Sequence, residues 1–85
     1  MGLMETVIDI PAEHEANVFG QFDVYAKKIE RALHVTLIAR GESVKINGRC
    51  SEVEKAKKVL DQLVELSKKE GNTIQEQNVD YTLAL

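Results

Sequence analysis

Cysteine, proline and aromatic residues are scarce in this chain and tryptophan is missing, and each shortage removes a class of protein. A single cysteine, Cys50, excludes an internal disulfide and a cysteine-only metal site. With His14 and His34 as the only imidazoles, no C-x-x-C or H-E-x-x-H spacing exists, so no metal is expected. A reducing cytoplasm is the simplest home for such a sequence. No apolar run approaches the roughly 20 residues of a membrane span, and no signal-peptide core is present, so no membrane partner is expected. Met1–Thr6 matches the short myristoylation pattern M-G-x-x-x-[ST], which an appended Met-Gly also produces. Glu13, Glu15, Asp80 and the two histidines are bracketed by no nucleophile, metal-ligand set or glycine-rich phosphate cradle. The domain is therefore expected not to be an enzyme and to hold no cofactor.

What is present fits one small soluble domain spanning 1–85. Hydrophobic residues make up 44% of the chain and charged ones 29%, an ordinary globular composition. A chain of this length buries only about 60–65% of its unfolded surface, too little to enclose a deep substrate cavity. Leu, Ile and Val must build the core. The net charge of −3 argues against a broad polyanion-binding surface. Its distribution is uneven: residues 1–19 carry four acidic side chains and no Lys or Arg, whereas residues 20–50 carry six basic against three acidic. After Lys69 the charges, on Glu70, Glu76 and Asp80, are again all acidic.

Thr6–Ile10 alternates, with Ile8 and Ile10 on one face, and predicts a half-buried strand. Pro11 ends it and can open a short helix to Phe19, in which Ala12, Ala16 and Phe19 share one face. Gly20 breaks that helix. A second begins near Asp23, a good N-cap residue, and Phe22, Ala26, Ile29 and Leu33 follow helical spacing as its buried stripe. Lys27, Lys28 and Arg31 are left towards solvent. Val35–Ala39 and Val44–Asn47, joined by Arg40–Ser43, predict an antiparallel hairpin, with Asn47-Gly48 closing its second strand. Ser51–Glu54 has the pattern of a capping box, and Val53, Ala56, Leu60, Leu63 and Val64 line one face of the helix that follows to about Lys69. Gly71 and Asn72 stop it. The tail predicts an extended Thr73-Ile74 pair and a short helix carrying Val79, Leu83 and Leu85. The order is strand, helix, helix, strand, strand, helix: an α+β two-layer sandwich, a three-stranded sheet with helices packed on one face. The core is expected over about 6–69, with a short C-terminal extension over 70–85.

This order and the residues "VIDIP", "NVFGQFDVYAKKIERALHVTLIAR" and "SVKINGRCSEVEKAKKVLDQL" resemble a KH domain of the βααββα kind over residues 6–66. A KH module clamps about four nucleotides at a G-x-x-G loop between its first two helices. "NVFGQFDVYAKKIERALHVTLIARGESVKINGRCSEVEKAKKVLDQL" is more closely similar to the segment that precedes the ATPase domain in PhoH-like proteins. There the loop is an "FG" followed by an acidic residue, and "GNTIQEQNVDYTLAL" resembles its C-terminal extension. The resemblance implies a bacterial cytoplasmic protein linked to phosphate starvation and RNA metabolism. It also implies an N-terminal domain excised from a larger P-loop ATPase, whose missing body would bind ATP and Mg. No G-x-x-x-x-G-K-[ST] occurs in these 85 residues.

Two functional readings follow. In the first, the KH-like loop Gly20, Gln21 and Asp23 binds single-stranded RNA together with Lys27, Lys28 and Arg31, while Arg40 and Lys45 flank the hairpin forming the other wall. Phe22 and Tyr25 are candidate stacking residues, but their helical spacing suits core positions. Asp23 stands where the second glycine of a G-x-x-G loop would be, and its charge opposes a phosphate. In the second reading the module docks on its own ATPase domain, or on another subunit of a homo-oligomer, and RNA binding is lost. The basic stretch favours RNA; Asp23 and the acidic total favour docking.

Overall fold

Alternating side chains in three segments build one antiparallel sheet. The computed structural model describes residues 2–69 and 73–85. Strand β1 (Leu3–Asp9) pairs with β3 (Ser43–Arg49), which also pairs with β2 (Thr36–Arg40), giving the order β1-β3-β2. Ile8 lies opposite Val44, and Thr6 and Leu37 flank Ile46, so one face of the sheet is apolar. The other face carries Glu5, Val7, Ile38 and Lys45, and no described helix covers it: Glu5 and Val7 are exposed and Lys45 is half-buried. Asn47-Gly48 does not close β3, which runs on to Arg49 opposite Leu3. Gly41 supplies the positive φ of 60° that the tight β2–β3 connection needs.

Helices α1 (Ala12–Phe19), α2 (Val24–Leu33) and α3 (Cys50–Lys68) cover the apolar face, and α4 (Glu76–Ala84) packs on α2 and α3. The fold is thus a KH-like βααββα two-layer sandwich with a C-terminal extension. Its centre is built from Ile10, Val18, Ile29, Ile46, Leu60 and Leu63, all fully buried. Helix α3 shows the expected stripe and adds Val59 and Ser67 to it. At roughly 1.5–3 kcal/mol for each fully buried branched side chain, this face contributes more stability than any other element.

Several sequence expectations are corrected. Ala12 and Ala16 are exposed; α1 turns His14, Asn17 and Val18 inwards instead. The physical reason is polar: His14 Nδ1 and Asn17 Nδ2 both lie 2.8 Å from the buried hydroxyl of Ser67 on α3. The Ser51–Glu54 capping box does not form. Because β3 leads directly into α3 at Cys50, Ser51 is already helical, and the cap position falls to Arg49, which makes no side-chain cap bond. The Cys50 amide donates to the Gly2 carbonyl at 3.2 Å, and the Cys50 thiol is exposed rather than packed. The expected stop at Gly71 and Asn72 lies outside the described residues. Beyond it, Ile74 and Val79 are buried and Leu83 half-buried as read, whereas Leu85 is exposed.

Candidate nucleic-acid interface

The connection between α1 and α2 departs furthest from expectation. Gly20 closes α1 with φ 80°, and Gln21–Asp23 make one turn of 3-10 helix before α2. Phe22 and Asp23 both adopt left-handed backbone, with φ/ψ of 56°/29° and 59°/28°. Such geometry costs roughly 1–2 kcal/mol for an ordinary L-residue, and for a bulky side chain it is an outlier. Phe22 therefore does not continue the Ala26, Ile29 and Leu33 stripe; its ring is 84% exposed. Nor does Asp23 cap the helix: it sits at the cap position of α2 but makes no side-chain cap bond, because left-handed backbone replaces the extended backbone that a capping residue uses. The helix-cap reading of this aspartate is withdrawn.

Gly20 has a packing reason of its own. A Cβ there would sit 2.7 Å from Cδ2 of Tyr25, so the loop closes over the tyrosine ring. Tyr25 belongs to the scaffold, half-buried against the core, and its hydroxyl donates to the Ile74 carbonyl at 3.3 Å. The Ile74 amide donates to Asn17 Oδ1 at 2.8 Å. Side chains of α1 and α2 thus hold both backbone groups of Ile74 and lead the chain into α4. There Asn78 accepts the Gln75 amide at 2.8 Å, one of the bonds of a side-chain capping arrangement that the sequence reading did not anticipate. A Q-x-x-N pattern ahead of the helix was the available signal.

The basic candidates divide into three groups. Lys27 and Arg31 are exposed on α2, one turn apart, and make no ion pair with any described residue. With Val24, Ala32, Lys28, Tyr25 and Glu76 they line an open hollow of about 590 Å³ between α2 and α4. Lys28 is engaged: its ammonium pairs with Asp80 and, at 2.9 Å, with Glu76, both on α4. Hydrogen bonds to Asp80 and then Glu76 raise the Lys28 pKa above its ordinary value of 10.5. Lys45 lies on the helix-free face of the sheet and pairs with Glu5 at 3.1 Å. Strand alternation puts Arg40 on that same face, near the end of β2. Neither hairpin residue is brought to the α2 hollow. Between α2 and β2, Glu30 Oε2 accepts the Leu37 amide at 2.8 Å, so a carboxylate occupies the open edge of the sheet there.

Loop, helix pair and antiparallel sheet together define a KH-like domain. Among solved structures, the crystal structure of Dim2p from Pyrococcus horikoshii OT3 is similar, with a TM-score of 0.75 and 17% identity. The match covers 96% of this chain and 48% of that one, so the chain spans about half the length of this neighbour. At this identity the likeness is one of fold. No family model and no curated protein matches the chain. No described helix is long and apolar enough to cross a membrane, and among the described residues no His, Cys, Asp and Glu group could hold a metal ion.

Proposed function

We propose that the chain is a non-catalytic RNA-binding module that holds single-stranded RNA weakly, and that it serves as the N-terminal accessory domain of a PhoH-like P-loop ATPase. The observation that carries RNA binding is the pair Lys27 and Arg31: two exposed cations, free of carboxylates, beside the loop that a KH module turns towards nucleic acid. Lys28 joins them only when it leaves Glu76 and Asp80. The Asp23 carboxylate keeps phosphate away from the loop backbone, since like charges about 4 Å apart repel by about 1 kcal/mol in water and by more at a protein surface. Arg40 and Lys45, on the far face, take no part in this binding.

Titration of the 85-residue chain with a labelled single-stranded RNA tests the reading. Two or three phosphate contacts give a slope of log K against log salt of about −1.4 to −2.1. The double variant K27E/R31E is expected to abolish binding; equal affinity for wild type and variant would remove the reading. The ATPase context rests on the resemblance of the sequence. It is checked in the parent gene, where a strand, a G-x-x-x-x-G-K-[ST] loop and a helix are expected within a few dozen residues.

Docking on the ATPase domain or on another subunit is the second reading. It is favoured by the engagement of Lys28 and Lys45 with carboxylates of the chain itself, which leaves little free positive charge. A flat RNA titration selects it.

A further inference from the structure

Phe22 is the one feature of the loop that phosphate binding does not use. The chain has two phenylalanines, three positions apart, and the structure treats them oppositely: Phe19 is 5% exposed and Phe22 84%. The difference comes from backbone geometry, because consecutive left-handed residues at Phe22 and Asp23 lift the ring out of the helical stripe that its spacing suits. Strain and lost burial thus coincide at one residue. Outliers of this kind cluster at binding sites, and here the inference runs from the observed outlier to the function.

What surrounds the ring narrows the ligand. Val24, also exposed, follows at the start of α2 and lines the same hollow as Lys27 and Arg31. From the loop tip along α2 the order is therefore flat aromatic, aliphatic, cation, cation. Lys27 and Arg31 are about 6 Å apart along the helix axis. A single-stranded nucleic acid has the matching chemistry, an unstacked base with a planar face next to a run of phosphates. Stacking on an aromatic tolerates any base, because every base has such a face. A protein partner would require an apolar patch far larger than two neighbouring residues.

Building on the RNA reading above, we propose that Phe22 is a stacking platform for an unstacked base, with the adjacent phosphates on Lys27 and Arg31. The arrangement reverses the usual division of labour in a KH loop. Asp23 turns phosphate away from the loop backbone, and the loop contributes a ring in its place.

The test compares wild type, F22A, F22L and F22W for affinity to a single-stranded RNA and to an abasic strand of equal length. F22A is expected to weaken RNA binding by about 5- to 100-fold, the range of one base–aromatic stack. F22L should fall close to F22A, and F22W should bind at least as well as wild type. The F22W indole, alone in a chain without tryptophan, should be quenched as RNA is added. On the abasic strand all four should bind alike. Since the ring is exposed, all four should melt within a few degrees of one another. If F22A binds RNA as wild type does while K27E/R31E does not, the stacking role is overturned and the RNA reading stands. If F22L binds as wild type does, the contact is merely apolar and the proposal also fails. If wild type binds no RNA at all, both readings fall together.

Discussion

Helix α3 and the Gly20–Asp23 loop handle their apolar residues in opposite ways. Along α3, Val53, Ala56, Val59, Leu60, Leu63 and Val64 all turn inwards, and residues such as Glu54, Lys57 and Asp61 remain in solvent. In the loop, the phenylalanine is outside and a glycine packs inwards against Tyr25. The helix obeys the periodicity that folds the chain. The loop breaks it at a cost in strain and lost burial that a purely structural turn would not need. The contrast separates residues kept for stability from residues kept for contact.

The largest effect is expected in the helix. Leu60 is fully buried between α3 and the sheet, and Leu60→Ala should lower the free energy of unfolding by about 2–5 kcal/mol in urea denaturation. A change below about 1 kcal/mol would mean that the α3 face is not the centre of the core.

Gly20→Ala comes next. The added methyl would meet the Tyr25 ring at 2.7 Å and would stand on a backbone with φ 80°. A loss of roughly 1–3 kcal/mol in the same assay is expected. Full stability would show that the loop can move off the tyrosine.

Asp23→Gly should have the opposite sign. No cap bond is lost, and glycine accepts left-handed backbone without strain, so stability should rise by up to about 1 kcal/mol, offset in part by the entropy of the added glycine. RNA affinity should tighten as the carboxylate leaves. A loss of stability would restore aspartate as a working helix cap.

The smallest effect concerns α4. Lys28 has its folded-state pKa raised above 10.5, so what its pairs contribute is fully present below pH 10.5 and is lost as pH rises through the folded value. Melting temperatures should therefore hold from neutral pH to about 10 and then fall. The double variant E76Q/D80N should lack that component, melt slightly lower at neutral pH, and bind RNA more tightly because Lys28 is released. Unchanged RNA affinity in that variant would exclude Lys28 from the interface.

The fold was legible because its signals are local and redundant. Ile8 and Ile10 alternate, Ala26, Ile29 and Leu33 repeat at helical spacing, and α3 carries an amphipathic stripe from Val53 to Val64. What was misread depends on distant partners or on backbone conformation. The inward face of α1 is selected by Ser67, more than fifty residues away for His14 and fifty for Asn17. Lys28 looked free because Glu76, 48 residues on, comes back to it only through the fold. Phe22 fits the α2 spacing, and nothing in "GQFD" announces two left-handed residues in succession. The placement of Lys45 was readable in principle, since alternation from Val44 and Ile46 turns it to the other face of the sheet.

The most direct test of an interface on the loop and α2 is the amide spectrum of the chain during titration with single-stranded RNA. Shifts are expected at Gly20–Asp23 and along α2 to Arg31, strengthening as salt is lowered, while Glu5, Arg40 and Lys45 on the helix-free sheet face stay still. Shifts confined to that sheet face, or none anywhere at RNA concentrations well above that of the protein, would contradict it.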